Sequence, residues 1–201
     1  MIDVFIHTLR VLEACPREKI IRLAALFHDI GKPHCITEGE DGERHFYRHD
    51  EVGEEIAEQA MRRLKFSLWD IAEVCFLIKN HMRDMNLTPK AARKLIKDLG
   101  PRLEEWKQLK KADLLGGKHT PERVEERWTE FLSILEKANE VKEDNNFLKL
   151  NVNGSDIINL GFKEGPVIGQ ILNQLNDIIL ENPELNTKEI LLEKVKELSL
   201  K

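Results

Sequence analysis

Apolar residues recur along most of the chain at steps of three and four, the spacing that places side chains on one face of an α-helix. Helix-start residues mark the breaks between these runs, as at Pro16, Thr88-Pro89 and Thr120-Pro121. The pattern predicts an all-α protein. The expected helices span residues 2–14, 17–31, 49–64, 67–82, 88–99, 101–115, 120–143, 154–160, 166–181 and 187–199.

Two stretches lack this helical spacing. Residues 33–48 are predicted to form a loop or a small hairpin that turns at Asp41-Gly42. Residues 147–152 alternate between apolar and polar positions, which predicts a short strand after a polar linker at residues 143–146. We therefore expect a helical domain at residues 1–146 and a small helical C-terminal appendage at residues 147–201.

The composition allows a sizeable core and weighs against some partners. With 201 residues, 41% hydrophobic and 33% charged, the chain suits one domain of ordinary size, alone or with a small appendage. A net charge of -5 argues against a surface that grips a phosphate backbone throughout. The best local candidate for a basic patch is Lys90–Lys97, for which a solvated helix face is the favoured interpretation.

The three cysteines are odd in number and none forms a Cys-x-x-Cys pair. This usage argues against a disulfide framework or a thiolate zinc site, and it favours the reducing cytoplasm. No apolar run reaches the length needed to span a bilayer, and the first residues lack the basic region of a signal peptide. The helical pattern begins at the first residues, which is expected if the chain is a truncated part of a longer protein.

Five predicted helices each align a His or an Asp with apolar residues on one face. The members of this set are His7, His28, His49, His81 and Asp113, with Asp29 adjoining His28. Any single one is more simply explained as a hydrogen-bonded core residue, and His34, His45 and His119 are assigned to surface loops. Together, imidazoles and carboxylates without thiolates suit manganese, iron, cobalt, nickel or zinc, and magnesium less naturally.

Six such ligands exceed the needs of one tetrahedral site. They would hold two metal ions with Asp29 between them, or one ion together with groups that face a substrate. Lys32 follows His28 by one helical turn, where it would neutralise a phosphate oxygen. The alternative for Lys32 is an exposed cation that complements the end of the helix dipole.

The order His7, His28-Asp29, Asp113 resembles the HD superfamily of metal-dependent phosphohydrolases, and the run from His28 to Lys32 matches a frequent form of its motif. The resemblance implies an HD-domain helical bundle in which the motif residues are metal ligands. His49 and His81 match the extended form of the motif, which supports a two-metal site in some branches.

A closer resemblance is to the HD-containing C-terminal half of bacterial CCA-adding tRNA nucleotidyltransferases, in the poly(A) polymerase family. The segments that carry it are residues 3–12, 24–33, 49, 62–67, 154–161, 165–169 and 186–189. The nucleotidyl-transfer head of that family needs an Asp-x-Asp pair, which does not occur in this sequence. We therefore expect a stand-alone relative or an excised half that adds no nucleotides by itself.

The function expected from these features is metal-dependent hydrolysis of small phosphate esters by a metal-activated water, with Asp29 and Lys32 as catalytic residues. The resemblance implies nucleotides, 2′,3′-cyclic phosphates or 2′-phosphates as substrates. The alternative is a tRNA-binding body and tail whose HD site is inactive. The apolar helix at residues 166–181 would pack on the bundle or form a homodimer contact.

Overall fold

The computed structural model describes residues 3–39, 43–140 and 147–198. Within these ranges the fold is all-α, as predicted, with one two-stranded hairpin. The elements are α1 (Val4–Ala14), α2 (Lys19–Phe27), β1 (Thr37–Glu38), β2 (Arg44–His45), α3 (His49–Arg63), α4 (Leu68–Asn80), α5 (Pro89–Leu99), α6 (Leu103–Gly116), α7 (Pro121–Asn139), α8 (Gly154–Asn159), α9 (Pro166–Glu181) and α10 (Lys188–Leu198). None of the described helices combines the length and the apolar character needed to cross a membrane.

The chain forms two compact units. The first comprises Met1–Met85 and Pro101–Thr129, and the second comprises Asn86–Gly100 and Glu130–Lys201. Helices α1–α4 and α6 belong to the first unit, α5 and α8–α10 belong to the second, and α7 contributes to both. The expected domain boundary between residues 146 and 147 stays a prediction.

The first unit is built around the apolar faces of α1, α2, α3, α4 and α6. Its fully buried side chains include Val11, Ile21, Met61, Ile78 and Trp106, each with no exposed surface. Helix α3 packs on α4, and α2 packs on α1, α4 and α6. The indole of Trp106 donates a hydrogen bond of 2.8 Å to the carbonyl of Asn80, so α6 also holds the end of α4.

Helix α2 ends at Phe27, earlier than the spacing predicts. The next residues form a tighter turn with hydrogen bonds from Ile30 N to Phe27 O and from Lys32 N to Asp29 O, at 3.1 and 3.0 Å. The apolar face of α2 continues through this turn, which is why the sequence pattern does not reveal the helix end. As a result His28 and Asp29 both lie in the turn directly after α2, and both are buried.

The segment at residues 33–48 contains the predicted hairpin. Strand β1 pairs antiparallel with β2, with Thr37 opposite His45 and Glu38 opposite Arg44. The predicted turn at Asp41-Gly42 lies outside the described residues. Arg48 then adopts a left-handed conformation, with φ of 62°, immediately before α3 begins at His49.

The predicted strand at residues 147–152 is wrong, because this stretch consists of turns and irregular backbone. Its polar groups bond to a side chain instead of a second strand. Asn186 accepts from Asn151 N at 3.0 Å and donates from Nδ2 to the carbonyl of Lys149 at 2.8 Å. Phe147 and Val152 are buried and Leu150 packs partly against the core of the second unit, whereas Leu148 is exposed, so the alternating apolar residues do not mark one face of a strand.

The second unit buries the apolar face of α9. Ile171, Leu175 and Ile179 pack in a core to which α8 and α10 contribute, and α5 packs on the same helix. This packing accounts for the strongly apolar spacing at residues 166–181 within the unit. A homodimer contact stays a prediction.

Two basic residues of α5 form hydrogen bonds inside the second unit. Arg93 donates to the carbonyls of Leu180 and Glu181 at 2.7 and 2.9 Å, which caps the end of α9. Lys97 donates to Asn176 Oδ1 at 2.6 Å, and burial lowers its pKa. Two of the cations in the best predicted basic patch therefore stabilise the fold of this unit.

A glycine-to-alanine pair tests the closest backbone approach in the first unit. A Cβ on Gly31 would collide with the carbonyl of His49 and lie 2.7 Å from Gly53 N, whereas a Cβ on Gly53 meets only ordinary contacts of 3.5 Å or more. We expect Gly31→Ala to lower the free energy of unfolding by about 2 kcal/mol or more. Gly53→Ala should leave it unchanged or raise it by up to about 1 kcal/mol. Urea denaturation measures both, and equal effects would contradict the packing described here.

Candidate metal centre

Four imidazole rings from separate elements converge in the first unit. His7 lies in α1, His28 follows α2, His49 opens α3 and His81 follows α4. The Nε2 atoms of His7 and His28 are 3.2 Å apart, and those of His49 and His81 are also 3.2 Å apart. The structure therefore brings together all four histidines that the helix faces predict.

A backbone carbonyl fixes the orientation of each ring. The Nδ1 atoms lie at hydrogen-bond distance from the carbonyls of Gly116 (His7, 3.1 Å), Ala25 (His28, 2.7 Å), Phe46 (His49, 2.7 Å) and Ile78 (His81, 2.6 Å). Because a carbonyl oxygen can only accept, each ring carries its proton on Nδ1. In its neutral form each ring then directs the Nε2 lone pair at the shared centre.

Two carboxylates complete two groups of possible ligands, His7–His28–Asp113 and Asp29–His49–His81. In each group the ligand atoms lie within 4.8 Å of one another. Asp113 Oδ1 is 3.0 Å from the Nε2 of His7 and 3.7 Å from that of His28. This carboxylate comes from α6, where it continues the buried row of Trp106 and Leu109.

Asp29 faces both groups with different oxygens. Its Oδ1 lies 3.5 Å from His49 Nε2 and 3.7 Å from His81 Nε2. Its Oδ2 lies 3.6 Å from His7 Nε2 and 3.5 Å from His28 Nε2. The carboxylate thus stands between the two pairs of imidazoles, in the position from which one Asp can serve two cations.

The donor set fits divalent cations. Two Nε2 lone pairs at 3.2 Å repel each other unless a proton or a cation lies between them, and each facing pair is in this situation. Ligand atoms bound to one ion at roughly 2.0–2.2 Å stand about 3 Å or more apart. The separations of 3.0–3.7 Å within the two groups meet this requirement with little adjustment.

The charges of the two carboxylates at the centre favour the binding of a cation. Burial by itself raises the pKa of Asp29, but donation from His49 and the nearby charge of Lys32 hold that pKa well below its usual range. Asp113 behaves in the same way, since the neighbouring imidazoles outweigh its burial and lower its pKa. Both carboxylates are therefore charged at neutral pH, as metal ligands must be.

The two sides of the centre differ in access. His28, Asp29, His49 and His81 are at most 4% exposed, and burial lowers the pKa of His81, so this ring stays neutral. The side chains of His7 and Asp113 are 13% and 21% exposed, and the contact with Asp113 raises the pKa of His7. A small molecule would reach the centre from the side of these two residues.

Helix α6 approaches the other helices closely at both sides of the centre. A Cβ on Gly116 would lie 2.5 Å from the Val11 side chain, so glycine lets the end of α6 touch α1 and brings its carbonyl to His7. Lys110 Nζ donates to the carbonyl of His81 at 2.8 Å. These contacts hold two of the imidazoles from one helix.

A cleft of about 390 Å³ opens over the exposed side of the centre. Besides the ligands it is lined by three side chains with cationic or imidazole groups, Lys32, Lys118 and His119. The sequence pattern does not point to Lys118, and it places His119 in a surface loop. Their position just after α6, five and six residues beyond Asp113, is the signal that would have found them.

Lys32 lies at the edge of this cleft. Its Nζ is 2.5 Å from Asp29 Oδ2 and 5.8 Å from the centre of the Phe46 ring. Its side chain is 24% exposed, so it is not the solvated end-of-helix cation of the alternative interpretation. The ammonium group lies instead beside the carboxylate that both imidazole pairs face.

The family model of the HD domain matches residues 4–118, which contain all six possible ligands. The chain belongs to the HD domain family, which confirms the resemblance. No solved structure matches the chain with significance.

Over most of its length the chain is also similar to curated tRNA nucleotidyltransferases. It is 26% identical to the A-adding tRNA nucleotidyltransferase of Deinococcus radiodurans over 181 residues, 87% of this chain and 42% of that protein. It is 32% identical to the CC-adding tRNA nucleotidyltransferase of Thermus thermophilus over 185 residues, 91% of this chain and 40% of that protein. The chain thus spans about two fifths of these relatives.

A shorter match is to a bifunctional uridylyltransferase/uridylyl-removing enzyme of Stutzerimonas stutzeri. It is 36% identical over 73 residues, which are 36% of this chain and 7% of that enzyme.

The two groups predict the metal content of the protein. We expect wild-type protein, loaded with manganese or zinc and desalted, to retain about two ions per chain and His81→Gln about one, because that variant loses a ligand of one group. His34→Gln is the matched control, since His34 is exposed and lies in neither group. Elemental analysis by mass spectrometry measures the ratio. Equal metal content in the two variants would refute this grouping of ligands.

Proposed function

We propose that this chain is a metal-dependent phosphohydrolase that acts on small phosphate esters such as nucleotides or 2′,3′-cyclic phosphates. The observation that carries the proposal is the convergence of four Nε2 atoms and two charged carboxylates beneath a cleft lined with cationic groups. Membership of the HD domain family supports the same chemistry.

In this proposal His7, His28 and Asp113 would hold one divalent ion, and His49 and His81 would hold a second, with Asp29 able to contribute to both. When bound, such ions lower the pKa of a water towards neutrality and polarise a phosphoryl group. The carbonyl bonds at Nδ1 keep the rings from turning away. Because His49 and His81 are almost fully buried, their role here is ligation and not proton donation to a leaving group.

The cationic groups of the cleft serve the phosphate. Lys32 is close enough to Asp29 to contact an ester oxygen above the centre and to neutralise charge as it develops. Lys118 and His119 line the same cleft and would orient the remaining phosphate oxygens. We therefore assign catalysis to Asp29 and Lys32, and phosphate binding to Lys118 and His119.

The similarity to a uridylyl-removing enzyme agrees with this reaction class, since removal of a uridylyl group breaks a phosphate ester. Cys15, Cys35 and Cys75 are all free, which fits the proposed cytoplasmic location. Nucleotide addition is not proposed for this polypeptide, because its sequence lacks an Asp-x-Asp pair.

A second candidate function is a tRNA-binding module of a nucleotidyltransferase. Similarity to two tRNA nucleotidyltransferases over 87% and 91% of the chain favours it. The engagement of Arg93 and Lys97 inside the second unit weighs against it, because these cations are held by the fold. A gel shift with tRNA that weakens steeply between 50 and 200 mM salt, roughly as one power of salt per phosphate contact, would support it.

Loss of the bridging carboxylate tests the hydrolase proposal. In a screen of phosphate esters with added Mn²⁺, Co²⁺, Ni²⁺, Zn²⁺ or Mg²⁺, we expect Asp29→Ala to lower kcat/KM by roughly a hundredfold or more, because both cations lose a ligand. Asp177→Ala is the matched control, since Asp177 is exposed on α9 in the second unit. Metal-independent turnover, or equal rates in the two variants, would rule the proposal out.

A further inference from the structure

A second pocket adjoins the metal cleft. It has a volume of about 340 Å³ and shares Val4 and Lys32 with the cleft, so the two spaces meet at these side chains. Its other walls include Pro33, Ile36 and Phe46, with Arg44 beside them. A volume of this size lies within the range of pockets that hold small molecules.

We infer that this second pocket binds the nucleoside part of a nucleotide whose phosphate lies over the metal centre. The inference rests on the proposed function and names its substrate class. The apolar walls offer a surface for a flat base, because Ile36 is 51% exposed and the half-buried Phe46 ring lies beside it in the pocket lining. Arg44 adds a planar cation that can stack on a base or bind a second phosphate.

Two residues at the C-terminal end of the hairpin line the pocket: Arg44 in β2, and Phe46 directly after that strand. His45 and Tyr47 lie outside the pocket lining. Their rings stack on each other, 5.3 Å apart and nearly parallel. The pocket lining therefore carries a cation and an apolar ring, and the stacked pair lies outside it.

The segment that follows β2 contacts the candidate metal centre directly. The carbonyl of Phe46 accepts the Nδ1 hydrogen bond of His49 at 2.7 Å, and the Phe46 ring lies 5.8 Å from Lys32 Nζ. The aromatic ring, the lysine and the bridging carboxylate are thus consecutive neighbours. A phosphate beside Lys32 would bring its nucleoside substituent directly to the Phe46 wall.

Equilibrium dialysis of AMP and of ribose 5-phosphate in EDTA tests the inference without turnover. The two probes share sugar and phosphate, so their affinity ratio isolates the base. We expect wild-type protein to bind AMP roughly tenfold more tightly than ribose 5-phosphate. Phe46→Ala should abolish this preference, and Ile36→Ala should reduce it.

Tyr47→Ala is the matched control, because it removes an aromatic ring next to Phe46 in sequence that does not line the pocket. It should keep the preference for AMP, and circular dichroism checks that each variant is folded. Equal binding of the two probes by wild type, or an unchanged preference in both folded pocket variants, would overturn the inference. A retained preference without hydrolysis of any ester would defeat the proposed function and leave the nucleoside pocket standing.

Discussion

The metal centre depends on one recurring interaction, the hydrogen bond between an imidazole Nδ1 and a backbone carbonyl. It occurs at all four rings, with lengths between 2.6 and 3.1 Å. Each bond leaves Nε2 as the ring nitrogen that faces the centre. The rings form two facing pairs, and a cation between two Nε2 atoms would remove the repulsion between their lone pairs. Three of the carbonyls lie three residues before their histidine, so the ends of α2 and α4 hold two of the rings and the segment before α3 holds a third.

The helices and the convergence of the six possible metal ligands could be predicted because both follow from the spacing of side chains on helix faces. The end of α2 at Phe27 could not, since the apolar face continues through a turn set by backbone hydrogen bonds. The packing of α5 with the C-terminal helices depends on contacts far apart in sequence, such as Arg93 with Leu180, which helix spacing does not reveal. The alternation at residues 147–152 falls on irregular backbone, in which Leu148 is exposed and Leu150 and Val152 pack towards the core.

The division of the ligands into two groups was likewise beyond the sequence. It left open whether six side chains serve one ion or two, because spacing along a helix does not give distances between helices. In the folded chain Asp29 directs separate oxygens to the two imidazole pairs. One side of this arrangement is closed, and the other opens to a cleft with Lys32 at its edge. We propose that the residues that carry out catalysis and those that select the substrate lie side by side at this edge of the cleft.

The most direct test is the protonation of the imidazole nitrogens, measured by long-range ¹H–¹⁵N NMR correlation during titration with zinc. We expect His7, His28, His49 and His81 to carry the proton on Nδ1 and zinc to shift their Nε2 resonances. His34, with its exposed side chain, should be unaffected. Protons that stay on Nε2 at saturating zinc, or shifts confined to Nδ1, would contradict ligation by these four rings.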